Sequence, residues 1–98
     1  MKTYTICGSM RFQKEMIKIA YELETKKGFN ILQCVYCEDK DIVLTNKELE
    51  FLKKAHFLKI EKSDGIYVVN INGYIGNAVK EEIEYAKSLN KEILYHCD

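Results

Sequence analysis

Apolar residues recur along this chain with two periods, that of a strand and that of a helix face. Thr3 to Cys7 is a short β-rich run that stops at Gly8-Ser9. Phe12, Met16, Ile19, Ala20 and Leu23 then follow helical spacing, with Gln13, Lys14, Lys18 and Glu22 on the other side. Gly28 ends that helix. Phe29 to Tyr36, rich in Ile, Val and aromatics, predicts a second strand. Glu38-Asp39-Lys40-Asp41 reads as a charged, disordered turn. Thr45-Asn46-Lys47-Glu48 is a capping-box pattern, so a second helix starts near Thr45. Leu49, Leu52, His56 and Ile60 line one face of it; Phe51, Ala55 and Leu58 line nearly the opposite face. A helix apolar on two sides needs two partners, its own sheet and another subunit. Gly65 to Val69 is an apolar third strand, and Asn70 to Gly76 a Gly/Asn loop. Asn77 is placed to cap a third helix through Leu89, ended by Asn90-Lys91, before a last strand from Glu92 to His96.

Strand and helix in this alternation predict a single small flavodoxin/Rossmann-like α/β domain. Its four-stranded parallel sheet should carry helices on both faces, joined by right-handed crossovers. In such sheets ligands bind at the carboxyl ends of the strands, where strand order switches. Two Gly-containing loops belong at that edge, Gly8-Ser9 and Asn70 to Gly76.

Composition narrows the function classes. At 98 residues there is room for one core only. Fifteen Lys+Arg balance fifteen Asp+Glu, without the basic excess expected of a protein that grips a nucleic-acid polymer. No apolar run approaches the roughly 18 residues of a membrane span. Met1 to Cys7 is too short and polar for a signal peptide, so the expected compartment is the cytosol. There Cys7, Cys34, Cys37 and Cys97 should be reduced thiols. Of the fifteen basic residues only Arg11 is Arg, a planar, bidentate cation in the segment Gly8-Ser9-Met10-Arg11.

That segment joins a strand to a helix N-terminus, a setting that suits an anion. Gly8 permits close approach, Ser9 offers a hydroxyl and Arg11 a phosphate clamp; a plain tight turn with a Ser cap is the alternative. On the third helix Val79, Ile83, Ala86 and Asn90 share a stripe, with Glu82 at its edge and Glu81 and Glu84 pointing away. Glu82 is therefore the carboxylate expected to face the sheet edge, unless its stem packs while its head reaches water. Asp64, at the start of the third strand, is placed either to face the same crevice or to cap a backbone turn. His56 falls within an apolar stripe, where a satisfied core histidine is the default and a ligand-binding role stays open. Cys34-Val35-Tyr36-Cys37 is a CxxC at a strand end. Redox or zinc chemistry there competes with ordinary structural cysteines, and zinc would need help from Cys97, His96 or His56.

Three segments together carry a family resemblance: Ile6-Cys7-Gly8-Ser9-Met10-Arg11-Phe12, Lys59 to Asp64, and Gly73 to Ala86. In this order and spacing the chain resembles the nucleoside 2-deoxyribosyltransferase-like superfamily over nearly its whole length. The resemblance implies a nucleophilic Glu at Glu82 and a conserved Asp at Asp64. The Cys-Gly-Ser-x-Arg loop is closer to the deoxynucleoside 5′-monophosphate glycosidase branch. It implies a substrate and phosphate site at Gly8, Ser9, Met10 and Arg11, continued by Gly76 and Asn77. Where relatives carry a Tyr that positions the nucleophile, this chain has Thr5, and Gly76 to Val79 lack the hydroxyls relatives place there.

The implied reaction cleaves the N-glycosidic bond of a 2′-deoxynucleoside or its 5′-monophosphate. Glu82 would form a covalent deoxyribosyl intermediate, with transfer to another base or to water, while Asp64 protonates or orients the leaving base. Such chemistry needs no metal and no cofactor. The resemblance also implies a homodimer or larger homo-oligomer with a shared site. Three rivals stay open: a non-catalytic nucleotide-binding module of the same fold, a CxxC metal or redox protein, and a glycohydrolase that cleaves NAD with a Glu.

Overall fold

The computed structural model describes residues 1–37, 39 and 41–97. Four strands, β1 (Thr3–Gly8), β2 (Asn30–Leu32), β3 (Gly65–Val69) and β4 (Glu92–Tyr95), form one parallel sheet in the order β2-β1-β3-β4. Three helices connect them: α1 (Gln13–Lys26), α2 (Asn46–Lys62) and α3 (Asn77–Ser88). Short 3-10 turns at Met10–Phe12 and Ile71–Gly73 lead into α1 and towards α3. The expected flavodoxin/Rossmann-like α/β architecture is what the chain adopts.

Strand alternation splits the core in two. Tyr4 and Ile6 of β1 and Val69 of β3 point to one face, where Met16, Ile19, Ala20 and Leu23 of α1 cover them. Cys7, Ile66 and Val68 point to the other, against Ile60 of α2 and Val79, Ile83 and Ala86 of α3. Both helix stripes match the sequence periodicity.

Local chemistry fixes the helix ends. Glu48 N–H donates to Thr45 Oγ1 at 3.1 Å and Thr45 N–H to Glu48 Oε1 at 2.8 Å, a complete capping box at the predicted start of α2. After α1, Gly28 takes φ +70°, and Phe29 N–H reaches back to the Leu23 carbonyl at 3.2 Å. Asn90 does the same after α3 with φ 57°, and Lys91 N–H donates to the Ala86 carbonyl at 3.0 Å.

Several boundaries differ from expectation, those of β4 and the end of α3 by a single residue. Strand β2 ends at Leu32 rather than Tyr36. Beyond it the Lys59 ammonium takes the Gln33 carbonyl at 2.8 Å, and the Cys34 thiol takes the Ile6 carbonyl at 3.4 Å, so partners other than a ladder amide hold this edge. At the start of α3 the N-cap is Gly76, not Asn77, and no side chain caps the helix. Of the expected disordered turn Glu38-Asp39-Lys40-Asp41, Glu38 and Lys40 lie outside the described residues. Asp39 accepts from Asp41 N–H at 2.9 Å. Among the described residues no helix is long and apolar enough to cross a membrane.

Candidate functional site

The strand order reverses between β1 and β3, and a cleft of about 730 Å³ opens at their carboxyl edge. Its floor and rim include Gly8, Ser9 and Met10 after β1; its far wall is Gly76 to Val79 and Glu82 of α3. Leu49, Leu52, His56 and Phe57 of α2 form the third side. A mostly apolar cleft of this size with a few converging polar groups suits a small molecule.

Glu82 enters because Val79, Ile83 and Ala86 bury the stripe beside it and leave its carboxylate at the edge, 18% exposed. Glu81, expected to point away, also lines the cleft, at its exposed rim, where it pairs with Lys53 at 2.8 Å. Across from Glu82, His56 Nε2 lies 3.3 Å from Oε1, its side chain 13% exposed. Burial alone would lower the His56 pKa. The neighbouring Cys34 and Glu82 side chains, the Glu82 carboxylate with its negative charge, reverse that and raise it to about 9. Beneath both, Cys7 Sγ sits 3.4 Å from the same His56 nitrogen. Burial pushes the Cys7 thiol well up, and the Glu82 charge adds to it.

The structure brings together Gly8, Ser9, Met10, Gly76, Asn77 and Glu82 of the sequence-derived set. Gly8 allows close approach of a different kind from that expected. A Cβ there would meet Met16 Sδ at 2.9 Å and Val69 Cβ at 3.2 Å, so the missing side chain lets α1 pack onto the sheet. Ser9 acts as a cap, accepting from Arg11 N–H at 3.3 Å. Arg11 does not line the cleft. Its guanidinium stacks 3.8 Å from the centre of the Tyr74 ring and ties the two loops together.

Asp64 is not brought to the cleft. Its carboxylate accepts from Thr3 N–H at 2.8 Å, and its own N–H donates to the Thr3 carbonyl at 2.8 Å. Strands β1 and β3 run parallel, so the head of β3 lies with the head of β1, about 16 Å along the strand from Gly8. Asp64 therefore closes a backbone turn at the opposite edge of the sheet. Thr5 is fully buried and donates to Ser63 Oγ at 3.2 Å, so it positions the end of α2 rather than Glu82. His56 is the side chain that holds Glu82, and Cys7 is the neighbour that sequence spacing leaves unconnected to either. Cys34 and Cys37 both line the cleft, and neither forms a disulfide.

Neither family models nor curated proteins match the chain. Among solved structures it is similar to a conserved protein from Enterococcus faecalis V583, with a TM-score of 0.62 and 15% identity. The alignment covers 97% of this chain. The chain spans 62% of the length of that structure. The likeness concerns the fold alone.

Proposed function

We propose that this chain is a nucleoside 2-deoxyribosyltransferase-like enzyme that cleaves the N-glycosidic bond of a 2′-deoxynucleoside or its 5′-monophosphate. The observation that supports it most is the Glu82 carboxylate, held by His56 at the wall of a cleft whose floor is the Gly8-Ser9-Met10 loop. The sugar would sit between that loop and Glu82. Leu49, Leu52 and Phe57 offer an apolar wall for the flat base. The first turn of α3, which no side chain caps, offers N–H groups and a positive helix end to a hydroxyl or phosphate.

In the reaction a Glu82 oxygen bonds to C1′ as the C1′–N bond breaks, and the bonding pair leaves with the base. Developing oxocarbenium charge is stabilised by the carboxylate. The base takes up one proton. With Asp64 at the far edge, His56, charged at neutral pH beside Glu82, is the acid this site supplies. Water or a second base then attacks C1′, the C1′–Glu82 oxygen bond breaks with its pair returning to the carboxylate, and the nucleophile's proton goes to His56, which restores the starting state. No step uses a metal or cofactor.

Arg11 is the phosphate clamp in this proposal, and it must leave Tyr74 to act. Its exposed stacking is worth about 0.5–1 kcal/mol, less than a bidentate phosphate pair. The enzyme would act as a homodimer through the outer face of α2, where Phe51 is 58% and Leu58 49% exposed.

Chromatography of free base from a panel of deoxynucleosides and their 5′-monophosphates tests the reading. The expected result is base release that falls about a thousandfold or more in Glu82→Ala. Arg11→Ala should raise KM for monophosphates and leave that for nucleosides unchanged. Saturable binding of these compounds without any base release would instead make the chain a nucleotide-binding module.

A further inference from the structure

Three donor atoms of different elements meet at the wall of the cleft. Cys7 Sγ lies 3.4 Å and Glu82 Oε1 3.3 Å from one atom, His56 Nε2. All three ligand atoms fall within 4.8 Å of one another. A ring nitrogen has either one hydrogen or one lone pair to offer these two neighbours, and the other partner of the Cys7 thiol is the more distant Thr5 carbonyl at 3.8 Å. Nor is this a nucleophile–base–carboxylate relay, in which the two partners occupy opposite ring nitrogens.

Convergence of a sulfur, a nitrogen and an oxygen on one point is what a cation requires. Zinc takes thiolate sulfur at about 2.3 Å, and imidazole nitrogen and carboxylate oxygen at about 2.0–2.2 Å, in tetrahedral arrangement. Those lengths set sulfur and nitrogen about 3.6 Å apart and nitrogen and oxygen about 3.4 Å apart. The two observed edges to His56 Nε2, 3.4 and 3.3 Å, lie close to those lengths, and the sulfur–oxygen edge lies within 4.8 Å. The mixed donor set also selects zinc or cobalt over magnesium and calcium, which prefer oxygen alone. One thiolate, one carboxylate and a neutral imidazole offset the double positive charge, so the ion enters this largely buried place without leaving net charge.

We propose that Cys7, His56 and Glu82 form a zinc site, with the fourth position facing the cleft and filled by water. Binding displaces the Cys7 thiol proton and the proton on His56 Nε2 to solvent; nothing is oxidised or reduced. Cys7 anchors the ion from the floor, and His56 and Glu82 close on it from α2 and α3. A consequence that rests on the glycosidase reading is regulation: a Glu82 oxygen bound to zinc does not attack C1′, so zinc inhibits base release.

The test uses full-length protein stripped with a chelator and titrated with Co²⁺ as a spectroscopic stand-in for zinc. The expected result is one cobalt per chain, a thiolate-to-cobalt charge-transfer band and d–d bands of tetrahedral strength. Zinc should bleach them, and excess magnesium should not. Cys7→Ser should lose the charge-transfer band and bind zinc at least about tenfold more weakly. Glu82→Gln should weaken zinc binding while keeping the band, and Cys34→Ser and Cys37→Ser should keep both. Absence of the band in the wild-type protein, or a band that survives Cys7→Ser, overturns the proposal. If Cys7→Ser fails to fold, unchanged zinc affinity in Glu82→Gln overturns it instead. The two readings fail separately. A cobalt site with no base release from any substrate removes the glycosidase reading alone, and base release with no cobalt site removes the zinc site alone.

Discussion

Glu82 and His56 form a coupled pair, and each should report on the other. The folded protein raises the His56 pKa from 6.5 to about 9, so it binds that proton more tightly than the unfolded chain does. The resulting stabilisation is complete below about pH 6.5 and is lost as pH rises through about 9. In metal-free protein the unfolding temperature should fall across that window, and His56→Gln should flatten the fall. Glu82→Gln removes a charged partner and should lower the His56 pKa by a unit or more, read from imidazole proton shifts in an NMR titration. An unchanged His56 titration in that variant contradicts the pairing. Neither residue's partner was legible in the sequence. Helical spacing put Glu82 at the edge of its stripe and His56 within another, and both placements hold. That α2 and α3 lie side by side on one face, with these two positions opposed, is a tertiary fact no single helix period contains. Asp64 is the reverse case. The head of a strand in a parallel sheet lies at the edge away from the ligand, so its distance from the cleft was readable from the topology alone.

Elements with strong local signals form where the sequence places them. The capping box at Thr45 fixes the start of α2, and Thr45→Ala should cost about 1 kcal/mol in denaturant unfolding. A change within error shows that the box contributes nothing. Weak signals fail at edges. Strand β2 has one neighbour, β1, and its apolar run outlasts the ladder because Cys34 and Tyr36 pack on the α1-side core without pairing. Asn77 carries a capping side chain, yet the loop places Gly76 at the N-cap position. Other devices were invisible to pattern. Asn70 pins the loop after β3 by accepting from Cys97 N–H at 2.8 Å and donating to the Cys97 carbonyl at 3.0 Å. Gly65 lies so close to the Glu92 backbone that any Cβ would press on its carbonyl.

At the scale of the whole molecule, parallel strands, their order and the cleft at the switch point follow one from another, and together they set where chemistry can occur. The two-sided apolar pattern of α2 is only half used: Ile60 is buried, while Phe51 and Leu58 face outward. The proposed homodimer covers that outer face. Phe51→Glu should therefore give a monomer in sedimentation, with the fold retained. A wild-type protein that is already monomeric at assay concentration contradicts the shared interface. In the proposed reaction Glu82 becomes covalently bonded to the sugar. Rapid acid quench during turnover, followed by peptide mass mapping, tests it most directly. One deoxyribosyl unit, or its 5′-phosphate, should appear on the peptide that carries Glu82, and none in Glu82→Gln. Base release without an adduct at Glu82, or an adduct on another residue, contradicts it.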